Sequence, residues 1–268
     1  MERIVEQYCE APSFLRRPMW RIWHNLISKF DKKNEVTFMN YGYVFDESDK
    51  LNLLEKDESN RYCINLYHRV ANQVDLTDKD VLEVGSGRGG GASYIKRYLG
   101  PKTYTAVDIS SNVIKFCQKT HQVEGLSFHK GKAEDLSQFK DDTFDAVVNV
   151  ESARCYTDVL SFFKEVNRVL KDDGHFLFAD MIKEGHQDEV EEELKSAGFK
   201  ILEKEKINDR VVKALDLDNE RRDKLIGRLI PSFLKGGFKE FAGSKGTKRY
   251  KDFASGKMEY WVYKLTKS

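Results

Sequence analysis

The middle of the chain alternates short apolar runs with segments of helical periodicity. Asp80–Val84, Thr103–Asp108, Leu126–Lys130, Phe144–Val150 and Gly174–Met181 read as strands. Gly89–Leu99 reads as helix, and Ser110 or Ser111 caps a further helix running to about Thr120. Asp158–Leu170 places Val159, Phe162, Phe163, Val166, Val169 and Leu170 on one helical stripe. Asp188–Ala197 is an acidic helix stopped by Gly198, a residue suited to the left-handed position beyond a helix end. Phe199–Ile207 and Met258–Leu265 read as two closing strands. This alternation predicts an α/β fold, a parallel sheet with helices on both faces.

Two segments fall outside the alternation. Residues 208–257 read as helical around Arg221–Leu234 and then as glycine-rich, at Gly236, Gly237, Gly243 and Gly246. Ligands on open α/β sheets bind beyond the carboxyl ends of the strands. Residues 1–56 are therefore expected to form an N-terminal cap or lid on a core of 57–207. Residues 208–257 would be a cap insertion for the acceptor, and 258–268 the closing strand. Within the first segment, Met19, Ile22, Trp23, Leu26, Ile27 and Phe30 share a stripe, with Arg16, Arg17, Arg21 and Lys29 nearby. Such a face suits a packed lid or, over residues 14–30, docking at a membrane surface.

With 268 residues, 40% hydrophobic, the chain is long enough for one large domain carrying a cap. Its 45 lysines and arginines nearly cancel 44 aspartates and glutamates. No overall field draws it onto nucleic acid, which disfavours such a substrate. Cys9, Cys63, Cys117 and Cys155 are far apart and form no CxxC pair, so neither a metal site nor a disulfide framework is expected. No apolar run approaches the ~18 residues of a membrane span. No signal-peptide core appears at the N-terminus, and the expectation is a cytosolic protein.

The strongest local signal is Val81-Leu82-Glu83-Val84-Gly85-Ser86-Gly87-Arg88-Gly89-Gly90-Gly91. A strand, a turn without Cβ atoms and a following helix let the backbone come very close to a ligand. Asp108 ends the next strand, where a carboxylate can accept hydrogen bonds from both hydroxyls of a ribose. Both features are shared by nicotinamide and S-adenosylmethionine sites. Three later segments separate them: Gly131-Lys132-Ala133-Glu134-Asp135-Leu136, Phe144-Asp145-Ala146-Val147-Val148-Asn149 and Leu170-Lys171-Asp172-Asp173-Gly174-His175-Phe176.

In order and spacing this series resembles the class I methyltransferases. The resemblance implies a Rossmann-like, seven-stranded, mostly parallel sheet whose last strand is antiparallel, beneath a helical cap. It implies S-adenosylmethionine as cofactor and S-adenosylhomocysteine as product. By the same resemblance Glu83 and the loop of Gly85, Ser86, Gly87 and Gly89 surround the amino-acid end of the cofactor. Asp108 and Ile109 lie at the ribose, Ala133 and Glu134 at adenine, and Asn149 joins the site. Further segments, Phe38-Met39-Asn40-Tyr41-Gly42-Tyr43, Asn65-Leu66-Tyr67-His68-Arg69 and Asn149-Val150-Glu151-Ser152-Ala153-Arg154-Cys155-Tyr156, resemble phthiotriol/phenolphthiocerol dimycocerosate methyltransferases. Those enzymes O-methylate a hydroxyl on a very long lipid. The expected acceptor is thus a small or lipid-like molecule, methylated at oxygen. Nitrogen or sulfur methylation and a catalytically silent cofactor-binding protein stand as alternatives.

Relatives typically carry histidine where this chain has Arg154. Arginine stays protonated and cannot act as a base, but it can bind an anion bidentately or pair with Asp158. His68, His129 and Tyr156 are the other candidate bases, although His129 sits on a strand expected to be buried. Tyr41 and Tyr43 are candidates to roof the sulfonium, whose charge favours aromatic faces, or simply to pack in the cap.

Overall fold

The structure is a computed structural model that describes residues 26–27 and 29–268. Most of the amphipathic stretch 14–30 lies outside the described residues. Residues 26–27 and 29–30 are helical, and two named helices follow, α1 (Glu55–Glu58) and α2 (Arg61–Ala71). The core then runs β1 (Asp80–Val84), α3 (Gly90–Tyr98), β2 (Thr103–Asp108), α4 (Ser111–Thr120), β3 (Leu126–Lys130) and β4 (Phe144–Val150). It continues with α5 (Val159–Val169), β5 (Leu170–Lys183), α6 (Gln187–Ser196) and β6 (Phe199–Lys206). Three helices follow, α7 (Asn208–Leu229), α8 (Lys235–Phe241) and α9 (Lys248–Ala254), before β7 (Met258–Lys267) closes the sheet.

The strand order is β3-β2-β1-β4-β5-β7-β6, parallel throughout except that β7 runs antiparallel to both β5 and β6. Alternating side chains feed two separate cores. Val81, Ala146, Val148, Leu177 and Ala179 face α2, α3 and α4, while Leu82, Val147, Phe176 and Phe178 face α5 and α6. Both faces are covered, so the strands are apolar on both sides. Order reverses between β1 and β4, which opens a crevice at their carboxyl ends.

Helix caps match the chain's polar signals. Ser110 accepts from the Val113 N–H, Asp158 accepts from the Ser161 N–H, and Gly198 adopts φ +86°. Two expectations need correction in the insertion. α7 begins at Asn208, far ahead of Arg221, because the stripe Val211, Ala214, Leu215, Asp218, Arg222 and Ile226 includes a buried ion pair that breaks the apolar pattern. It ends at Leu229 since Pro231 forces Ile230 into an extended conformation. Gly236 and Gly237 are helical, inside α8. His129 is exposed, not buried, because β3 is an edge strand, and its ring meets Ser127 Oγ at 3.1 Å.

A third, smaller apolar cluster sits apart from the sheet: Ile27, Ile226, Ile230 and Phe238, with Met39, Leu229 and Phe241 against it. No helix among the described residues is long and apolar enough to cross a membrane.

Candidate active site

The turn after β1 lies flat on β2: the Gly85 and Ser86 N–H groups both donate to the Val107 carbonyl, at 2.8 and 3.0 Å. Gly85 takes φ +79°, and a Cβ there would stand 2.3 Å from Ser152 Oγ and 2.5 Å from the Tyr156 hydroxyl. Glycine is required by both conformation and space. The N-terminal segment crosses the start of α3, where the Gly90 N–H donates to the Thr37 carbonyl at 3.1 Å. Arg88, within the glycine turn, fastens that segment. Its guanidinium pairs with Asp31 at 2.8 Å, donates to the Val36 carbonyl and lies 3.7 Å from the Phe116 ring centre.

These elements enclose a cleft walled by the glycine turn, residues 37–40, the end of β2 and the loop after β4. Asp108 faces it, with Oδ2 accepting from the Gly87 N–H at 3.1 Å and Oδ1 from the Ser110 N–H at 2.8 Å. Burial pushes its carboxyl up to about 6 against the pull of those two donors. Each oxygen keeps a lone pair for further donors. Ser86 also faces the cleft, and its buried Oγ has no partner, an unmet demand that a polar ligand would satisfy.

On the opposite wall stands Glu151, just after β4. It adopts φ +54°, a conformation that costs a non-glycine residue of order 1–3 kcal/mol. The turn is held by its N–H, which donates to the Ala179 carbonyl at 2.8 Å. It aims a buried carboxylate at the cleft. Oε1 accepts from the Tyr41 N–H and from the Tyr260 hydroxyl, both at 2.9 Å. Burial raises the carboxyl to about 7, opposed by the nearby Arg154 charge and by those two donors.

A methyltransferase-domain profile matches residues 82–178. A phthiotriol/phenolphthiotriol dimycocerosates methyltransferase of Mycobacterium tuberculosis is 39% identical over 249 residues, 93% of this chain and 92% of the relative. The chain belongs to that methyltransferase family. A fatty-acid O-methyltransferase of Mycolicibacterium smegmatis is also 39% identical, over 88% of this chain and 85% of the relative. Among solved structures, geranyl diphosphate methyltransferase in complex with SAM matches with a TM-score of 0.61 at 13% identity, over 87% of this chain and all of that one. That likeness shows the fold.

The methyltransferase brings Gly85, Ser86, Gly87, Asp108, Ile109, Ala133 and Tyr156 to the cleft wall. Other expected site residues stand behind it. Glu83 is buried beneath the turn with both oxygens taken, Oε1 by the Tyr67 hydroxyl at 3.0 Å and Oε2 by the Tyr104 hydroxyl at 3.1 Å. Asn149 Nδ2, with two hydrogens to give, stands within hydrogen-bonding distance of the Val84 carbonyl, Ser152 Oγ and the Tyr156 hydroxyl, bracing the turn from below. Gly89, at φ +75°, caps α3 against the Phe128 ring. Glu134 turns to Thr157, whose N–H and hydroxyl donate to it at 3.0 and 2.8 Å. Neither tyrosine expected as a roof lines the cleft. Tyr41 donates to the Phe241 carbonyl and Tyr43 packs on Phe45, whereas Phe38 and Tyr67 line the cleft.

The candidate bases sort in the same way. His68 lies outside the cleft lining, bonded to the Tyr94 hydroxyl at 2.7 Å, and burial lowers its pKa. Burial pushes Tyr156 far up, beyond the reach of a neutral-pH base. Arg154 does not pair with Asp158, which is spent capping α5. Its N–H and guanidinium instead bind both oxygens of Asp180, at 3.0 and 2.9 Å. Sequence reasoning missed Glu151, Arg88, Tyr67 and the Thr37–Asn40 wall. An acidic residue directly after an apolar strand at the carboxyl edge was the one legible signal.

Proposed function

We propose that this methyltransferase carries a methyl group from S-adenosylmethionine to the oxygen of a lipid-like acceptor, and that Glu151 receives the oxygen's proton. The observation that carries the reading is Glu151 itself: a buried carboxylate bent into the cleft through a costly backbone turn, anchored at Oε1 by two donors. A carboxyl near 7 is matched to proton removal at neutral pH. Asp108 would hold the ribose hydroxyls, Ser86 Oγ a polar group of the amino-acid end, and Gly131 and Ala133 the adenine side. Phe38 and Tyr67 supply aromatic surface suited to a cation. Bound there, the cofactor supplies a methyl already activated by positively charged sulfur, so the chain's part is alignment, exclusion of water and proton transfer.

Oxygen and lipid are supported by the relative named a fatty-acid O-methyltransferase. That name also favours a second reading, a carboxylate acceptor, which needs no base. Residues 208–257 and the described part of the N-terminal segment would cover the acceptor. Mass spectrometry with isotopically labelled S-adenosylmethionine on matched fatty alcohols and fatty acids tests the acceptor and the role of Glu151. Labelled ethers that vanish in Glu151→Gln support the hydroxyl reading, and labelled esters that persist in it support the carboxylate. No labelled lipid from the parent enzyme would overturn the proposal.

A further inference from the structure

Beside the cleft lies a second chamber of about 100 Å3, open at its mouth, between the N-terminal segment and helices α7 and α8. That is room for several water molecules, more than a well-packed interior leaves empty. Its walls are the third apolar cluster, among them Ile27, Met39, Ile226, Leu229, Ile230 and Phe238. The charged groups on the lining are already committed. Arg222 binds Asp218 and the carbonyls of Asn40, Tyr41 and Ala242, and Arg221 grips both oxygens of Asp218. Asp31 is paired with Arg88, and Glu35 with Arg228. The chamber thus presents hydrocarbon to an occupant.

Phe38, Met39 and Asn40 line both this chamber and the cofactor cleft, so the two cavities share one wall. On that wall Asn40 is buried, its Nδ2 donating to the Cys63 carbonyl at 3.1 Å while its Oδ1 has no donor at all. A buried carbonyl oxygen left without a partner leaves a hydrogen bond open to a polar atom entering between the two cavities. Apolar walls on one side and an unmet polar group at the boundary describe an amphiphile lying across both.

We infer that the chamber holds an alkyl chain of the acceptor, with its polar head passing Asn40 to reach Glu151. This rests on the lipid-acceptor reading above and names the part of the fold that measures the chain. Ile226 and Leu229 face the chamber and not the cleft, so they set the length accepted without touching the cofactor.

The test uses Leu229→Trp, which fills the chamber, and Ile226→Ala, which enlarges it. S-adenosylmethionine binding by calorimetry reports that each variant is folded. Displacement of a fluorescent hexadecanoyl probe reads chain binding without turnover, and kcat/KM over acids and alcohols of increasing length reads selectivity. Leu229→Trp should bind the probe more weakly and shift the optimum to shorter chains, each excluded methylene costing about fourfold. Ile226→Ala should shift the optimum the other way, and it decides the matter if Leu229→Trp does not bind cofactor. Probe affinity and length profile unchanged in a cofactor-binding variant overturn the chamber assignment while leaving lipid methylation standing. If the parent methylates no lipid, the functional reading falls, and probe binding that responds to the two variants still supports the chamber.

Discussion

The Tyr260 hydroxyl donates to Glu151 Oε1 at 2.9 Å, tying the last strand of the sheet to the carboxylate that faces the cleft. Tyr260 lies on β7 and Glu151 just after β4, so the orientation of the proposed base depends on the antiparallel strand that closes the fold. The bond favours the charged carboxylate. Tyr260→Phe should therefore raise the Glu151 pKa further and move the acidic limb of the kcat/KM profile to higher pH. Glu151→Gln should lower turnover of alcohol acceptors by roughly 10²–10⁴-fold, the usual worth of a positioned base, while binding cofactor normally. A pH–rate profile unmoved in Tyr260→Phe would remove Tyr260 from a positioning role.

Three buried carboxyls dictate an unusual pH dependence of stability. Burial raises Glu83 to about 7, Asp108 to about 6 and Glu151 to about 7. Each binds its proton more tightly folded than unfolded, so the native state holds more protons across this range and stability falls as pH rises. The contribution is complete below the unfolded values near 4 and is lost as pH climbs through 6 to 7. Urea unfolding of the ligand-free protein should give a higher midpoint at pH 5.5 than at pH 8, with a smaller gap in Glu83→Gln. Equal midpoints in the parent would contradict the raised values.

Asp108, proposed to hold the ribose, brings the same chemistry to cofactor binding. Asp108→Ala should weaken S-adenosylmethionine binding by about 1–3 kcal/mol, the range for polar partners left unmet. Because its carboxyl lies near 6, parent affinity should decline as pH drops below that value. Calorimetric titration at pH 5 and 7.5 measures both effects, and an Asp108→Ala dissociation constant equal to the parent's would exclude the ribose role.

The pair Arg88–Asp31 is shielded to 1% exposure on both side chains and clamps the N-terminal segment to the glycine turn. Removing either partner strands the other charge, at a cost of about 3–5 kcal/mol. Asp31→Ala and Arg88→Ala should each unfold at clearly lower denaturant, and their double mutant should be less damaged than the two losses added together. Strict additivity would mean that the pair contributes nothing as a unit.

Gly91 packs where a Cβ would lie 2.0 Å from the Tyr67 ring, and Tyr67 in turn holds Glu83. Gly91→Ala should cost about 1–3 kcal/mol through overpacking and should also weaken cofactor binding by shifting the aromatic wall. Gly91→Ala with Tyr67→Leu should recover part of the stability, which thermal melts of the two variants will show.

How much of this protein is written locally is clear from the elements themselves. β1 through β4 begin and end where apolar runs do, and Ser110, Asp158 and Gly198 mark helix ends, because strand alternation and capping depend on neighbours in sequence. The glycine turn and Asp108 were legible for the same reason: a tight turn requires residues without Cβ atoms, and a strand end carries its own carboxylate to the sheet edge. Tertiary structure decided everything that depends on which distant groups meet. Glu83 turned inward because Tyr67 and Tyr104 reach it from α2 and β2. Arg154 was claimed by Asp180 of β5 rather than by Asp158, four residues along its own chain. Glu151 owes its raised carboxyl to burial and its orientation to donors from residues 41 and 260, more than a hundred positions away on either side. Desolvation and hydrogen bonding are properties of the packed surroundings, and no run of residues carries them alone.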